Sequence, residues 1–234
     1  MKNHLKRLAA PKSWVLDRQI TKYVVKPSPG THSLGSGFAL GFILRDRLHI
    51  GSTMDEIKKI LATSDISVDG VVRRDHRFMV GLFDVISIPL LSKHYRVVLD
   101  SKGRLTVVEV PAVEAMIKPL KIVGKSVISG GKIQFHMHDG RNVISEMKAV
   151  VGDSVVVTLP KLTVKEILPL HKGSVVFLSS GKHGGDLGVV DDLQDAQAVY
   201  SVKGGAQKIV TSRSYLFVVG AHGKGAVCTV AVPK

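Results

Sequence analysis

The chain has 234 residues, 44% of them hydrophobic, a formal net charge of +14 at pH 7 and a sequence pI near 9.9. That much apolar content can bury a core, so this is no disordered basic tail, and the charge makes nucleic acid the first partner to consider. The single cysteine, Cys228, excludes an intrachain disulfide and a cysteine-based zinc site, and no stretch reaches the ~20 apolar residues of a membrane span. The basic N-terminus lacks the apolar centre of a signal peptide, and no long basic amphipathic helix favours a membrane surface; the expectation is a soluble cytoplasmic protein.

The first thirty-odd residues carry no carboxylate before Asp17. His4, Lys6, Arg7, Lys12, Arg18, Lys22 and Lys26 are interleaved with Trp14 and Tyr23, and Pro27 and Pro29-Gly30 stop any long helix. Cations in this density neutralise phosphates, so the segment reads as an RNA-contacting arm, and its low apolar content predicts that it orders on RNA. Trp14 has two readings. It can stack on a base for about 1–3 kcal/mol, or pack in a core, which its Trp14-Val15-Leu16 context favours.

Leu44 to Ile88 reads as a basic helical stretch, a capped second helix and a hairpin that gathers arginines. Thr53-Met-Asp-Glu56 has capping-box spacing ahead of the apolar positions Ile57, Ile60 and Leu61. Val68-Asp69-Gly70-Val71 is a two-residue hairpin signal, because Asp-Gly tolerates the positive φ of a type I′ turn. Arg73, Arg74 and Arg77 follow at once. A compact α-α-β unit with Arg45, Arg47, Lys58 and Lys59 on its helices suits docking against a phosphate backbone.

From Tyr95 onward the chain is short β-branched runs separated by turns. Tyr95–Leu99 and Arg104–Val110 flank Asp100-Ser-Lys-Gly103; Lys132–His138 turns at Asp139-Gly140 into Arg141–Ile144; Asp153–Leu159 stops at Pro160. This spacing predicts small β barrels, not an α/β enzyme fold. Between a strand over Val175–Leu178 and another from Val189 lies a loop with Gly181, Gly184, Gly185 and Gly188. Its glycines allow close approach of backbone to phosphate or to another stretch of chain. It is no P-loop, since the glycine spacing is wrong and His183 stands where Ser or Thr is required.

Catalytic constellations are scarce. His136 and His138 share a strand face beside Asp139, a spacing that suits a metal but lacks a third ligand. Gly220-Ala-His-Gly-Lys-Gly225 reads as a surface turn and Cys228 as core. Asp65, Asp69 and Asp75 balance charge near the arginines.

Several blocks resemble, in order and spacing, the archaeal and eukaryotic small-subunit ribosomal protein family called "S four e". They are His4-Leu-Lys-Arg7, Ala10-Pro-Lys-Ser-Trp14, Pro27–His32, Leu44-Arg-Asp-Arg-Leu48, Val68-Asp-Gly70, Val72-Arg73, Asp75, Gly81, Asp84–Ile88, Asp100–Arg104, His138–Asn142, Ser180–Val190 and Leu216–Gly220. Ser180–Val190 resembles the family's KOW motif. The chain departs from the pattern at Met79-Val80, where a proline commonly stands, at Ser180-Gly181 in place of Gly-Gly, and at Asp186, where a basic residue is common. The eukaryotic members' additional N-terminal residues and charged C-terminal extension are not seen, which points to the archaeal type.

The resemblance implies a multidomain α+β fold. It comprises a basic N-terminal extension over 1–41, an S-four-like RNA-binding module over 42–94, a central β domain over 95–170 and a KOW barrel of the SH3 type over 171–234. It implies a structural constituent of the small subunit, with ribosomal RNA and neighbouring ribosomal proteins as partners and neither cofactor, metal, membrane nor small-molecule substrate. The candidate RNA-binding residues are His4, Lys6, Arg7, Lys12, Trp14, Arg18, Arg45, Arg47, Lys58, Lys59, Arg73, Arg74, Arg77, Lys182 and His183. Two other classes stay open. One is a non-ribosomal RNA-binding or RNA-modification accessory protein, for which no catalytic domain is visible. The other is a KOW-type transcription factor, which calls for a polymerase-binding domain upstream.

Overall fold

The computed structural model describes residues 4–145, 147–202, 208–221 and 225–229. The chain divides into two compact units, Met1–Val98 with Arg104–Ala115, and Leu99–Gly103 with Met116–Lys234. Both are predominantly β with few helices, and the antiparallel sheets are several and small, in keeping with the coarse expectation of many short strands. No helix among the described residues is long and apolar enough to cross a membrane.

In the first unit β1 (Leu5–Lys6) pairs with β2 (Tyr23–Val24). The expectation that this arm orders only on RNA is not what its contacts suggest. Trp14 is 3% exposed, its ring lies 5.5 Å from Phe38 and 5.6 Å from Phe42, and its Nε1 donates to the Leu34 carbonyl at 3.3 Å. Of its two readings, core packing wins. The indole, with Ala10 and Val24, supplies the segment with a buried apolar anchor.

β3 (Gly37–Ala39) leads into α1 (Leu40–Phe42) and a π turn over Ile43–Arg47. α2 (Met54–Thr63) begins with the expected capping box: the Glu56 amide donates to Thr53 Oγ1 at 3.3 Å, and Glu56 Oε2 accepts from the Thr53 and Ser52 amides. Ile57 and Leu61 are fully buried, which turns Lys58 and Lys59 outward. The hairpin joins β4 (Ser67–Val68) to β5 (Val71–Val72) through Asp69 and Gly70, whose φ values of 53° and 74° suit the turn read from the sequence. Asp69 also reaches out of the turn, accepting the Val85 amide at 3.0 Å on its buried carboxylate.

β6 (Met79–Gly81) pairs with β3, while β7 (Val85–Ile88), β8 (Lys93–Leu99) and β9 (Leu105–Val110) complete a sheet of order β5-β4-β7-β8-β9. A short α3 (Ala112–Ala115) closes the unit.

The second unit contains two five-stranded sheets. One comprises β10 (Ile117–Val127), β11 (Ile133–Met137), β12 (Asn142–Ile144), β13 (Ser154–Thr158) and β14 (Thr163–Leu168), in the order β12-β11-β10-β13-β14. The other comprises β15 (Val175–Leu178), β16 (Leu187–Leu193), β17 (Gln197–Val202), β18 (Lys208–Ser212) and β19 (Leu216–Gly220), in the order β18-β17-β16-β15-β19. β13 explains its own unbroken valine run. Val155 and Val157 face one core with Leu120, Ile122 and Phe135, while Val156 faces the other with Val176, Tyr200 and Val218. A strand buried on both faces has no polar side to alternate. The expected surface turn over Gly220–Gly225 includes 222–224, which lie outside the described residues.

Candidate nucleic-acid interface

The cations of the first unit fall into two groups. One supports the fold. Arg7 is 4% exposed and donates through Nη1 to the Asp17 carbonyl at 2.7 Å, while its Nη2 stands 3.9 Å from Asp46. Arg18 turns back on the chain: its Nη1 donates to the carbonyls of Arg7, Leu8 and Ala10 and its Nη2 to that of Pro11. A guanidinium so engaged presents little to a phosphate. Arg45 is held by Asp46 at 2.8 Å, and Arg47 donates to Thr106 Oγ1 at 3.2 Å.

The other group lies on α2 and the chain after the hairpin, with Lys58, Lys59 and Arg74 exposed and Arg73 and Arg77 half-buried. Lys58 and Lys59 lie exposed on α2, with Lys58 3 residues from Asp55 and bonded to it at 2.9 Å. Arg74 is 68% exposed; Nη1 reaches the Ala62 carbonyl in the last turn of α2 at 3.4 Å, and Nη2 stands 4.0 Å from Asp65. That end of a helix carries the partial negative charge, so the cation is well placed there. Arg73 stacks on the Phe78 ring, 4.3 Å to the centroid. Arg77 donates from Nε to the Lys26 carbonyl at 3.1 Å, which ties the hairpin's return to the N-terminal segment.

His76 links the two elements. Burial holds its imidazole below the ordinary value; Asp75 opposes this, while the charges of Lys58 and Arg77 add to it. The helix and the chain after the hairpin therefore place Lys58, His76 and Arg77 in one electrostatic neighbourhood.

A second exposed group lies on the β1–β2 ribbon. Lys6 sits opposite Tyr23, the Tyr23 ring is 46% exposed, and it lies 5.3 Å from the His4 ring and 5.6 Å from Lys22 Nζ. Tyr23 thus offers the half-open aromatic face that the buried Trp14 does not. Its sequence signal was the interleaving of rings with cations, which fits both residues; burial separates them. Lys12 is exposed as well.

In the second unit the glycine-rich loop faces inward. Gly184 and Gly185 are buried, their amides donating to the carbonyls of Gly181 at 3.2 Å and Leu178 at 2.8 Å. A Cβ at Gly185 would meet the Asp100 carbonyl at 2.1 Å, so glycine is needed there for close approach of the chain to itself. Lys182 remains exposed; His183 is held 3.4 Å from Asp186, the acid at the family's usually basic position.

The two histidines that suggested a metal part company. His136 contacts Ser126 Oγ through Nε2 at 3.0 Å and Asn142 Oδ1 through Nδ1 at 2.8 Å, whereas His138 stands edge-on to Phe217. Among the described residues no group of three or more His, Cys, Asp or Glu is placed to hold a metal.

Comparison with known proteins is decisive for the family. Residues 1–35 match the RS4NT (NUC023) domain, and residues 91–164 match the model described as ribosomal family S4e. The small ribosomal subunit protein eS4 of Methanocella arvoryzae is 39% identical over 93% of this chain and 94% of its own length. The chain belongs to ribosomal family S4e. The eS4 protein of Archaeoglobus fulgidus is 38% identical, with 93% of each chain covered. The crystal structure of the 30S ribosomal protein S4e from Thermoplasma acidophilum aligns with a TM-score of 0.68 at 29% identity, covering 80% of this chain and 96% of that one. The S4e resemblance read from the sequence blocks is thereby confirmed, and archaeal members dominate among these relatives.

Proposed function

We infer that this S4e chain is a structural constituent of the small ribosomal subunit, located on the ribosome, where it binds the subunit's RNA and neighbouring proteins. The observation that carries the reading is the end-to-end similarity to archaeal proteins named small ribosomal subunit protein eS4. The net charge of +14 supports RNA as the principal partner. The role is stoichiometric, not catalytic: cations displace counterions from phosphates, and the shape of A-form RNA supplies specificity.

Within the first unit, Lys58, Lys59, Arg74 and Arg77 together with Lys6, Lys12 and the Tyr23 face are the proposed contacts, His4 lying beside that face. Arg45, Arg47 and Arg73 hold the local fold beneath them, and Arg7, Arg18 and Trp14 brace the N-terminal segment. In the second unit Lys182 and His183 are retained as contacts at the exposed end of the glycine loop.

The four modules expected from the family are kept as a proposal. An SH3-type KOW barrel over the last sheet is favoured by its strand order: β15 to β18 form a meander, and β19 returns beside β15. The central and last sheets share a core through Val156, Leu168 and Leu170, so the two modules brace one another.

Sedimentation of native lysate through a sucrose gradient in high magnesium, with the protein quantified in every fraction, tests the reading. About one copy per small subunit, retained through a moderate salt wash, is expected. Protein at the top of the gradient, or with polymerase, would overturn the ribosomal role.

A further inference from the structure

The second unit holds a pair of cations that none of the proposed contacts includes. Lys121 lies on β10, and its Nζ donates at 2.6 Å to the carbonyl of Ser214, 93 positions away in the chain. Arg213 precedes that serine and opens the 3-10 turn Arg213–Tyr215. Its amide donates to the Ala196 carbonyl at 3.0 Å. Its guanidinium lies over Gly152, where an added Cβ would stand 3.9 Å from both Nε and Nη2. Gly152 in turn donates to the Ile122 carbonyl at 3.0 Å. Residues from four separate stretches of chain therefore bring Arg213 to the strand beside Lys121.

Neither cation forms an ion pair among the described residues. The acid of the same loop, Asp153, is turned to other work: Oδ1 accepts the Leu170 amide at 2.9 Å and Oδ2 the Val150 amide at 2.8 Å. Burial, with the Arg213 charge adding to it, pushes the Lys121 ammonium down from 10.5 to about 8. Two like charges held close together in partly buried positions destabilise the free protein, and an anion between them reverses the sign of that contribution. An ammonium beside a planar guanidinium fork matches the oxygens of a phosphate.

We propose that Lys121 and Arg213 form an anion site that takes a backbone phosphate of the bound RNA, giving the second unit a contact of its own. This rests on the RNA-binding reading above, and the chain's net charge favours RNA over an acidic protein segment as the source of the anion.

The test uses the full chain and purified small-subunit ribosomal RNA. Acylation of lysines at pH 8, quantified peptide by peptide, is compared for the free protein, the RNA complex and the protein in millimolar inorganic phosphate. Lys121 should react readily when free, be protected several-fold by RNA, and stay reactive in phosphate. In filter binding, Lys121→Gln and Arg213→Gln should each reduce the slope of log affinity against log salt by about 1. Arg213→Lys, which keeps the charge, should retain the slope and so separates loss of charge from loss of the loop.

Unchanged Lys121 reactivity in the RNA complex, with unchanged slopes, would overturn the site. Protection by inorganic phosphate alone, or only by a neighbouring protein in assembled subunits, would overturn RNA as its ligand. Failure of the wild-type chain to bind RNA at all is a separate result, seen before any variant is made. It would overturn the functional reading and this site with it.

Discussion

His32 and Asp84, 52 positions apart, meet with Nε2 3.1 Å from Oδ2, and both side chains are almost sealed from solvent. The same carboxylate oxygen accepts the amide of Gly81 at 2.8 Å. One acid thus ties the segment that follows the N-terminal arm to β6 and the turn before β7. Gly81 is part of the device, because a Cβ there would lie 2.2 Å from the His32 ring. The ring cannot retreat without leaving Asp84.

Gly81→Ala is therefore expected to destabilise the protein by roughly 3 kcal/mol, at the upper end of the cost of overpacking a core. Asp84→Ala should cost a similar amount, about 2–4 kcal/mol, by removing the acceptor of the buried Gly81 amide and the carboxylate beside the buried His32 imidazole. Urea unfolding followed by circular dichroism measures both. A loss under about 0.5 kcal/mol in either variant would mean that the three groups are not coupled as described.

The His32 block and Gly81 were visible in the sequence as separate motif fragments, but nothing in their spacing said that they touch. Local devices fared better. The Thr53–Glu56 cap, the Asp69-Gly70 turn and the hairpin around Asp100–Gly103 are each written within a few consecutive residues, and each has the structure that its chemistry dictates. β10, the central strand of its sheet, is poorly written in the sequence. Pro119, Gly124 and three lysines interrupt its apolar pattern, and a buried partner for Lys118 is invisible until the fold supplies Asp139.

The basic residues show the same limit. Arg7, Arg18, Arg73 and Arg74 are alike as letters, yet the first two hold backbone carbonyls, the third lies on a ring and the fourth faces solvent. Burial and partners, which arise from contacts remote in sequence, sort them.

That sorting changes which variant tests the hairpin. Arg73→Gln removes the stack on Phe78 along with the charge, so its effect on RNA mixes packing with electrostatics. Arg74→Gln leaves the fold nearly untouched, since its exposed contacts are worth at most a few tenths of a kcal/mol. It should weaken binding to small-subunit RNA several-fold at low salt and lower the salt slope by about 1. An unchanged slope in filter binding removes the hairpin from the interface.

Lys118 and Asp139 form a different kind of pair, 3.1 Å apart with side chains 0% and 1% exposed. Burial raises the Asp139 carboxyl, but the charge of Lys118, aided by His138, and hydrogen bonds from Lys118 and the Arg141 amide bring it below its ordinary value. A carboxyl depressed in the folded state contributes stability above its unfolded pKa of 3.8, and that contribution is lost as pH falls through the lower, folded value. Lys118→Met should cost about 3 kcal/mol at neutral pH, moderated because Arg141 Nε still stands 3.4 Å from the carboxylate. Lys118→Met combined with Asp139→Asn should recover part of that loss. A double variant no more stable than Lys118→Met alone would show that the single substitution acts by disturbing the strand and not by stranding a charge.

Lys121 gives a pH dependence of the same sign in a much more alkaline window. Its folded value of about 8 lies below the unfolded 10.5, so between these values the unfolded chain binds the extra proton. Stability then rises with pH across that window. Below pH 8 both states are protonated and the full penalty of confining the ammonium beside Arg213 is present. Relative to Lys121→Gln, the wild-type protein should gain on the order of 2–3 kcal/mol between pH 8 and 10.5. Urea midpoints of the two proteins, measured side by side, isolate this group from the other lysines that titrate in the same range. Parallel curves would place Lys121 in water. Converging curves, together with weaker RNA binding by the variant, would mean that the free protein carries an electrostatic strain which its ligand relieves.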